Sequence, residues 1–326
     1  MTYKAFLYLD LPFSFILDTF FLPVTIPWYY LNRDPNQYFF DAIEEGNFRL
    51  VKKSLEKGLS PEVRNEKNWP SLLLAAKHGN IPITNLLLQE GAAINTRSMF
   101  GETAIRIAVE YGKYEIIKFL IQHKANVNIQ DNSYTSPLYR AVELQNEKIA
   151  LFLLQNGANY KGRQGYHGSI LMIASMNGLN TVIEHVLKQG EDINSRNIYK
   201  DTPLLLASIG NANMKTLELL LKKGALPDER GQYGGSALMT LSRRGLERQV
   251  KLLLAYKADP NIQDYQGNTA LMQAAKNGHI EVTRILLQHK ANVKLQNQDG
   301  KTAMDYATEN QQLEIMNLLK EISFEI

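Results

Sequence analysis

The sequence predicts an all-α solenoid of about nine helix-turn-helix units joined by hairpin-like loops. One observation is a period: a small residue stands four positions before a Gly or Asn, and this pair recurs at a fixed interval. The other is composition. Apolar residues make up 44% of the 326 residues and Pro only 11 of them, which suits helices connected by short polar loops. The units start at Asp34, Lys67, Phe100, Ser133, Tyr166, Tyr199, Tyr233, Gln266 and Asp299.

The interval between unit starts is 33 residues with one exception. The step from Tyr199 to Tyr233 is 34, so the sixth unit carries one inserted residue, which we expect near Asn211–Met214. A single unit cannot bury both of its faces, and stability in such arrays comes from stacking. The period therefore predicts one continuous core along the stack.

Each unit contains residues that begin and end its first helix. In the best-preserved unit, GNTALMQAAKNGH from Gly267 to His279, the Thr269 hydroxyl is placed to cap that helix. Thr202 is expected to do the same, and Pro203 suits the first turn, where a missing N–H costs nothing. A Gly ends the helix where a left-handed residue is needed. These are Gly79, Gly112, Gly178, Gly245 and Gly278.

This unit resembles the ankyrin repeat, with its pattern G-x-T-P-L-H-x-A-A-x-x-G-H. The resemblance covers residues 34–326 and implies an ankyrin-repeat domain over that range. It also implies a protein-binding solenoid rather than an enzyme, because ankyrin repeats serve as interaction surfaces.

Residues 1–33 do not fit the repeat and are rich in aromatic residues and Pro. We expect them to cap the open end of the stack; the alternative is a contact patch for a partner or a membrane surface. The segment resembles small bacterial envelope lipoproteins of the YceK type, which implies a periplasmic protein with its lipidated Cys upstream of residue 1. The matching residues are Asp10, Leu11, Pro12, Ser14, Asp18, Thr19, Leu22 and Pro23.

Composition argues against several other classes of protein. The net charge of +3 is too small to indicate a nucleic-acid or anionic-membrane surface. There is no Cys, and the six His are scattered without a metal-chelating spacing. No catalytic, phosphate-binding or dinucleotide-binding motif is present. We therefore expect no catalytic residue, no cofactor and no metal, and a chain that is a monomer when free.

The resemblance implies that a partner meets the loop tips and the inner helices. An ordinary solvated surface would be polar there, as it is at Gln266, Lys276 and Asp299 in the last units. The third to seventh units instead place aromatic rings at four unit starts, about 10 Å apart along one edge, and such residues dominate interfaces. The expected partner-binding residues are Trp69, Met99, Phe100, Tyr111, Tyr134, Leu144, Tyr166, Met176, Ile198, Tyr199, Ile209, Tyr233, Arg243, Arg244 and Tyr265.

Four arginines of the seventh unit, Arg230, Arg243, Arg244 and Arg248, are expected to form a local basic patch. The patch is either a solvated face or a contact for acidic groups at the rim of a partner.

The two resemblances together imply an immunity protein of the bacterial envelope. Ankyrin proteins with lipoprotein-like starts resemble inhibitors that block antibacterial effectors of secretion systems, including secreted lipases and phospholipases. The alternative is a cytosolic scaffold, or an effector that acts inside a host cell.

Overall fold

A computed structural model describes residues 34–161 and 168–323 of the chain. This part contains eighteen helices in nine antiparallel pairs, one pair for each predicted unit. It contains no β-sheet; Arg64 and Pro70 form one isolated antiparallel bridge. The all-α solenoid is thus confirmed. The expected cap and lipoprotein-like motif in residues 1–33 lie outside the described residues, and so does Tyr166.

The helices alternate between a first and a second helix of each unit. The first helices, with odd numbers, are α1 (Pro35–Glu44), α3 (Ser71–His78), α5 (Ala104–Glu110), α7 (Pro137–Glu143), α9 (Ile170–Asn177), α11 (Pro203–Ile209), α13 (Ala237–Arg243), α15 (Ala270–Lys276) and α17 (Ala303–Glu309). The second helices are α2 (Phe48–Glu56), α4 (Ile81–Gln89), α6 (Tyr114–Gln122), α8 (Glu147–Gln155), α10 (Asn180–Lys188), α12 (Met214–Lys222), α14 (Glu247–Ala255), α16 (Ile280–Gln288) and α18 (Leu313–Ser323).

The predicted caps form as expected. The Thr202 hydroxyl accepts a hydrogen bond from the backbone N–H of Leu205, and the Thr269 hydroxyl accepts one from Met272. Pro203 is the first residue of α11. Removing a cap of this kind costs about 1 kcal/mol, so these residues define where each short helix begins.

The five predicted Gly positions all have a positive φ, between 64° and 79°. Gly79 and Gly178 directly follow α3 and α9 and turn the chain toward the second helix. The equivalent residue of the sixth unit is Ala212, which has φ of 49° without being Gly.

The inserted residue lies at the beginning of the predicted segment Asn211–Met214 or directly before it. Because Ala212 already occupies the turn position, the extra residue falls between the end of α11 and Ala212, at Gly210 or Asn211. The backbone of Gly210 passes so close to the preceding unit that a Cβ there would lie 2.2 Å from the carbonyl oxygen of Met176. The insertion is therefore accommodated by a residue without a side chain.

Stacking produces one continuous core. The small residues Ala108, Ala141, Ala174 and Ala207 of the first helices are fully buried. Neighbouring first helices pack against each other more extensively than neighbouring second helices do. This difference bends the stack so that the first helices line its inner side, and we call them inner helices. No helix in the described ranges is both long and apolar enough to span a bilayer.

Candidate protein-binding surface

The hairpin loops that the structure describes, those of the second to fourth and the sixth to ninth units, are closed by the same pair of backbone hydrogen bonds. In the seventh unit the N–H of Gly234 donates to the carbonyl of Gly231, 2.9 Å away, and the N–H of Gly231 donates to the carbonyl of Gly235 at 3.0 Å. Where the first turn residue is Asp, as at Asp131 and Asp264, its carboxylate also accepts two backbone N–H bonds of the loop. The two residues at the tip of the turn are left facing solvent.

These tips carry exposed apolar side chains in the units where the sequence predicts them. Tyr233 is 79% exposed, Tyr134 73%, Phe100 57% and Tyr199 41%. Met99, Ile198 and Tyr265 are also exposed. We call these seven residues the tip row; it runs from the third to the eighth unit, and the fifth hairpin lies outside the described residues.

Tyr134 has an unfavourable backbone conformation. Its φ is 60° at the turn position where other loops have Gly, such as Gly101 and Gly234. A left-handed non-Gly residue costs about 1–2 kcal/mol, and backbone strain of this kind concentrates at functional positions. Asn68 and Lys200 adopt the same conformation at this position of their own loops, with φ of 58° and 62°, so the strain belongs to the turn and not to Tyr134 alone.

Hydrogen bonds between successive hairpins order the tip row. The N–H of Asn132 donates to the Phe100 carbonyl at 2.9 Å, and its side-chain amide donates to the Met99 carbonyl at 3.0 Å. The N–H of Tyr265 donates to the Tyr233 carbonyl at 3.0 Å. These bonds tie the third hairpin to the fourth and the seventh to the eighth, so the backbones of these tips are linked rather than separate.

The ring of Tyr265 is fixed by its neighbours. The Arg230 guanidinium lies 5.3 Å from the ring centroid and is itself bonded to the carbonyls of Gly234 and Gln263. On the other side the ring fills the space that a side chain on Gly234 would occupy. Tyr265 thus packs partly on the neighbouring hairpin while it stays exposed.

Trp69 differs from the other predicted tip residues. It is half-buried and packs against the core. Its ring lies 5.9 Å from the Lys77 ammonium, which also lies 5.5 Å from the ring of Tyr111 on the inner side. Such cation–π contacts contribute about 0.5–1 kcal/mol at exposed sites, so Lys77 links the two rings.

The centre of the inner side is apolar. Leu144 and Ile209 are exposed at the ends of their inner helices, and Met176 between them is half-buried. Met176 is further constrained because its carbonyl accepts the N–H of Asn211 from the next unit, at 3.3 Å. Met176 and Ile209 occupy equivalent positions of the fifth and sixth units, two residues after a buried Ala, and Leu144 lies one residue later in the fourth unit.

A charged cluster on the inner helices of the third and fourth units was not predicted. Arg140 donates from Nε and Nη2 to the two oxygens of Glu110, at 2.6 Å each, and Arg106 donates to Glu110 at 2.8 Å. Arg140 also pairs with Glu143. The signal was present in the sequence as Arg and Glu four or three residues apart in two adjacent units.

The hydrogen bonds from Arg140, followed by those from Arg106, lower the pKa of Glu110 to about 2, although partial burial opposes the shift. The cluster neutralises its own charges, because each carboxylate has a guanidinium partner. It therefore adds rigidity to this part of the inner side and little net electric field.

The predicted basic patch of the seventh unit is divided among different elements. Arg230 belongs to the hairpin and Arg248 to the second helix α14. Arg244 donates to the carbonyls of Ser208, Ile209 and Gly210, at 3.0 Å for Gly210, and so caps the end of α11. Only Arg243 extends from the end of an inner helix as an exposed side chain without a bond among the described residues.

No cluster of three or more His, Asp or Glu suited to a metal occurs within residues 34–161 and 168–323. His279 instead bonds the carbonyl of Arg243 through Nε2, at 2.9 Å. His123 and His289 bond carbonyls of their own helices, those of Phe119 and Ile285. These contacts give the three rings structural partners.

Comparison with known protein families agrees with this geometry. A family model described as "Ankyrin repeats (3 copies)" matches residues 39–131, 72–164, 171–264 and 238–326. A comparison with curated proteins gives no match. The matched segments cover most of the chain, and their period coincides with the nine helix pairs. The chain is an ankyrin-repeat protein and belongs to that family, whose repeats are protein-interaction scaffolds.

Proposed function

We propose that this protein inhibits another protein by covering it with the tip row and the inner helices. The observation that carries the proposal is the tip row, a line of exposed apolar side chains on hairpins that hydrogen-bond to one another. Hairpins held in place before binding lose little backbone conformational entropy on binding, which favours affinity. Tyr, Phe and Met are also the residue types enriched at protein interfaces.

We further propose that the protein acts in the bacterial periplasm as an immunity protein against a secreted lipase or phospholipase. Support for this finer role comes from the lipoprotein-like residues between Asp10 and Pro23. A rigid, curved stack with an apolar edge also suits the closure of a lipase entrance, which is itself apolar. An anchored lipoprotein would meet an incoming effector at the membrane.

The proposal is tested first by sequencing the genes beside this one and then by exporting any lipase that they encode to the periplasm of a host bacterium. We expect the lipase alone to stop growth and co-expression of this protein to restore it. The variant Phe100→Gln/Tyr199→Gln/Tyr233→Gln should fail to restore growth. The matched control, Gln266→Ala/Asp299→Ala at the same turn position, should protect like the wild type.

Two results would count against the immunity role. The first is that no lipase or other toxin gene neighbours this one. The second is that growth is not restored although the protein reaches the periplasm, which favours the scaffold or host-directed alternative.

A further inference from the structure

We infer that the partner presents an acidic segment, with carboxylates beside apolar side chains, to the inner helices of the seventh and eighth units. This inference rests on the proposed protein binding and names the chemistry of the part of the partner that meets Arg243 and Lys276. Both residues stand at the ends of inner helices and both are exposed.

The inner helices of the sixth to eighth units are uniformly positive or neutral. Between Pro203 and Ile209, Ala237 and Arg243, and Ala270 and Lys276 there is no carboxylate. Arg243 and Lys276 form no ion pair within the described part of the chain, and Lys276 lies 5.3 Å from the ring centroid of Tyr306. Neither charge is therefore neutralised by a carboxylate within the described residues.

The carboxylates of the neighbouring loops and helices have other bonds. Asp264 accepts the backbone and side-chain N–H groups of its own hairpin. Glu309 pairs with Lys301 at 2.8 Å. Asp305 accepts the N–H and hydroxyl of Thr302, and these bonds lower its pKa. Asp299 extends from the last hairpin. None of these groups forms an ion pair with Arg243 or Lys276 within the described ranges.

The third and fourth units provide the contrast. There Arg106 and Arg140 both form ion pairs with Glu110, and Arg140 forms a second one with Glu143. The inner side is thus polarised: its charges are paired near the third and fourth units and unpaired near the seventh and eighth. Such polarity orients a charged partner and raises its association rate more than its affinity.

The residues beside these cations determine the class of partner. Ile209 is exposed at the end of the neighbouring inner helix, and Tyr233 and Tyr265 are exposed at the hairpin tips of the seventh and eighth units. With the two cations, these side chains suit a segment that carries both acidic and apolar residues. A nucleic acid is bound through many phosphate contacts, typically six to ten, whereas two unpaired cations and a net charge of +3 supply few. The mixture of two cations and several rings suits a polypeptide.

The test uses the full chain and a synthetic, fluorescently labelled peptide that alternates Glu with Phe and Leu. Its companion carries Lys in place of every Glu. Fluorescence anisotropy at low ionic strength should show tighter binding of the acidic peptide. The double variant Arg243→Gln/Lys276→Gln should weaken that binding about tenfold, the effect of losing close charge pairs at an interface, and added salt should reduce the difference.

The matched control is Lys215→Gln/Lys251→Gln, which changes the net charge equally on exposed positions of second helices. It should leave the affinity within about twofold, as expected of charges outside a contact. Equal binding of the two peptides, or equal losses in the two double variants, would overturn the inference. Tighter binding to phosphatidylglycerol vesicles or to single-stranded DNA than to the acidic peptide would also overturn it. No lipase enters this experiment, so its failure is distinct from failure of the immunity role.

Discussion

The hairpins of the sixth and seventh units and those of the eighth and ninth units share one backbone turn but present different surfaces. In each, the residue after the tip closes the turn with a bond of 2.9–3.0 Å. At the second tip position the former pair has Tyr199 and Tyr233, and the latter pair has Gln266 and Asp299. The turn therefore does not require an aromatic ring.

The last units use their polar side chains to join loops together. Asn297 donates from its side-chain amide to Asn268 at 3.0 Å and to the Tyr306 hydroxyl at 2.9 Å, and all three residues are buried. The rings of the tip row, in contrast, face outward. The difference teaches that the same hairpin can join units through buried polar side chains or expose apolar ones, and the eighth hairpin does both through Asn268 and Tyr265.

The largest loss of partner binding is expected when the tip tyrosines of the sixth and seventh units are replaced by Gln, the residue at this position in the eighth unit. Tyr199→Gln with Tyr233→Gln should weaken binding of the protein partner by about 2–4 kcal/mol, the range of interface hot spots. The fold should be unchanged, because Gln already occupies this turn position at residue 266. Isothermal titration calorimetry measures the loss, with Gln266→Ala as the control.

If both variants bind equally well, the tip row is not the interface. Binding would then have to centre on the inner helices, for which Leu144→Ala with Ile209→Ala is the corresponding test.

A second pair of variants compares the glycines of the two regions. Gly234 and Gly300 have φ of 78° and 74°, so Ala should cost about 1–2 kcal/mol at either position. At Gly234 the new Cβ would also lie 2.7 Å from the ring of Tyr265 and 2.8 Å from its backbone nitrogen, whereas nothing lies within 4 Å at Gly300. Overpacking should add about 1–3 kcal/mol for Gly234→Ala alone.

Urea denaturation gives the free energy of unfolding of the two glycine variants. Equal losses would mean that the contact between the seventh and eighth hairpins contributes little to stability.

Two adjacent arginines of the seventh unit, Arg243 and Arg244, are expected to contribute differently to the stability of the fold. Arg244→Ala removes the donor for three carbonyls at the end of α11 and should cost about 1–2 kcal/mol. Arg243→Ala removes no bond among the described residues and should stay within about 0.5 kcal/mol. Thermal unfolding monitored by circular dichroism distinguishes them; a larger loss for Arg243 would reverse the two roles.

The smallest effect concerns the charged cluster of the third and fourth units. The pKa of Glu110 in the folded state, about 2, lies below the ordinary 4.5. The Glu110 carboxylate therefore stabilises the fold above about pH 4.5. That contribution is lost as the pH falls through about 2. Glu110→Gln should therefore lower the melting temperature at neutral pH, with a loss of about 1 kcal/mol.

The melting temperatures of wild type and Glu110→Gln should converge as the pH is lowered from about 4.5 to about 2. A difference that is independent of pH would assign the effect to packing rather than to charge. Glu247→Gln, an exposed residue at the start of a second helix, serves as the control.

Most of the fold was predictable because it depends on local signals that recur. Thr202, Pro203 and Gly178 act within their own unit, and the 33-residue period repeats each signal. Exposure of the tip row was predictable for the same reason, since the turn places its tip residues in solvent whatever their type. What depends on contacts between units was not predictable.

Three residues have contacts that the sequence did not reveal. Arg244 appeared to belong to a basic surface patch, yet its guanidinium bonds to carbonyls 34–36 residues earlier in the chain. Trp69 was predicted as a tip residue and packs against the core. Glu110 accepts hydrogen bonds from Arg140, 30 residues away, although the spacing of Arg and Glu within each unit indicated only pairs inside one helix. In each case the partner belongs to the neighbouring unit or to the packed interior.

The bond from Arg244 also bears on how such a chain can be lengthened or shortened. Most units could be duplicated or removed as blocks of 33 codons, because each unit packs against the next through an equivalent interface. The sixth and seventh units are an exception. Arg244 of the seventh unit donates a hydrogen bond to the carbonyl of Gly210, at the inserted residue of the sixth. In recombination, whether natural or in the laboratory, these two units should be inherited together.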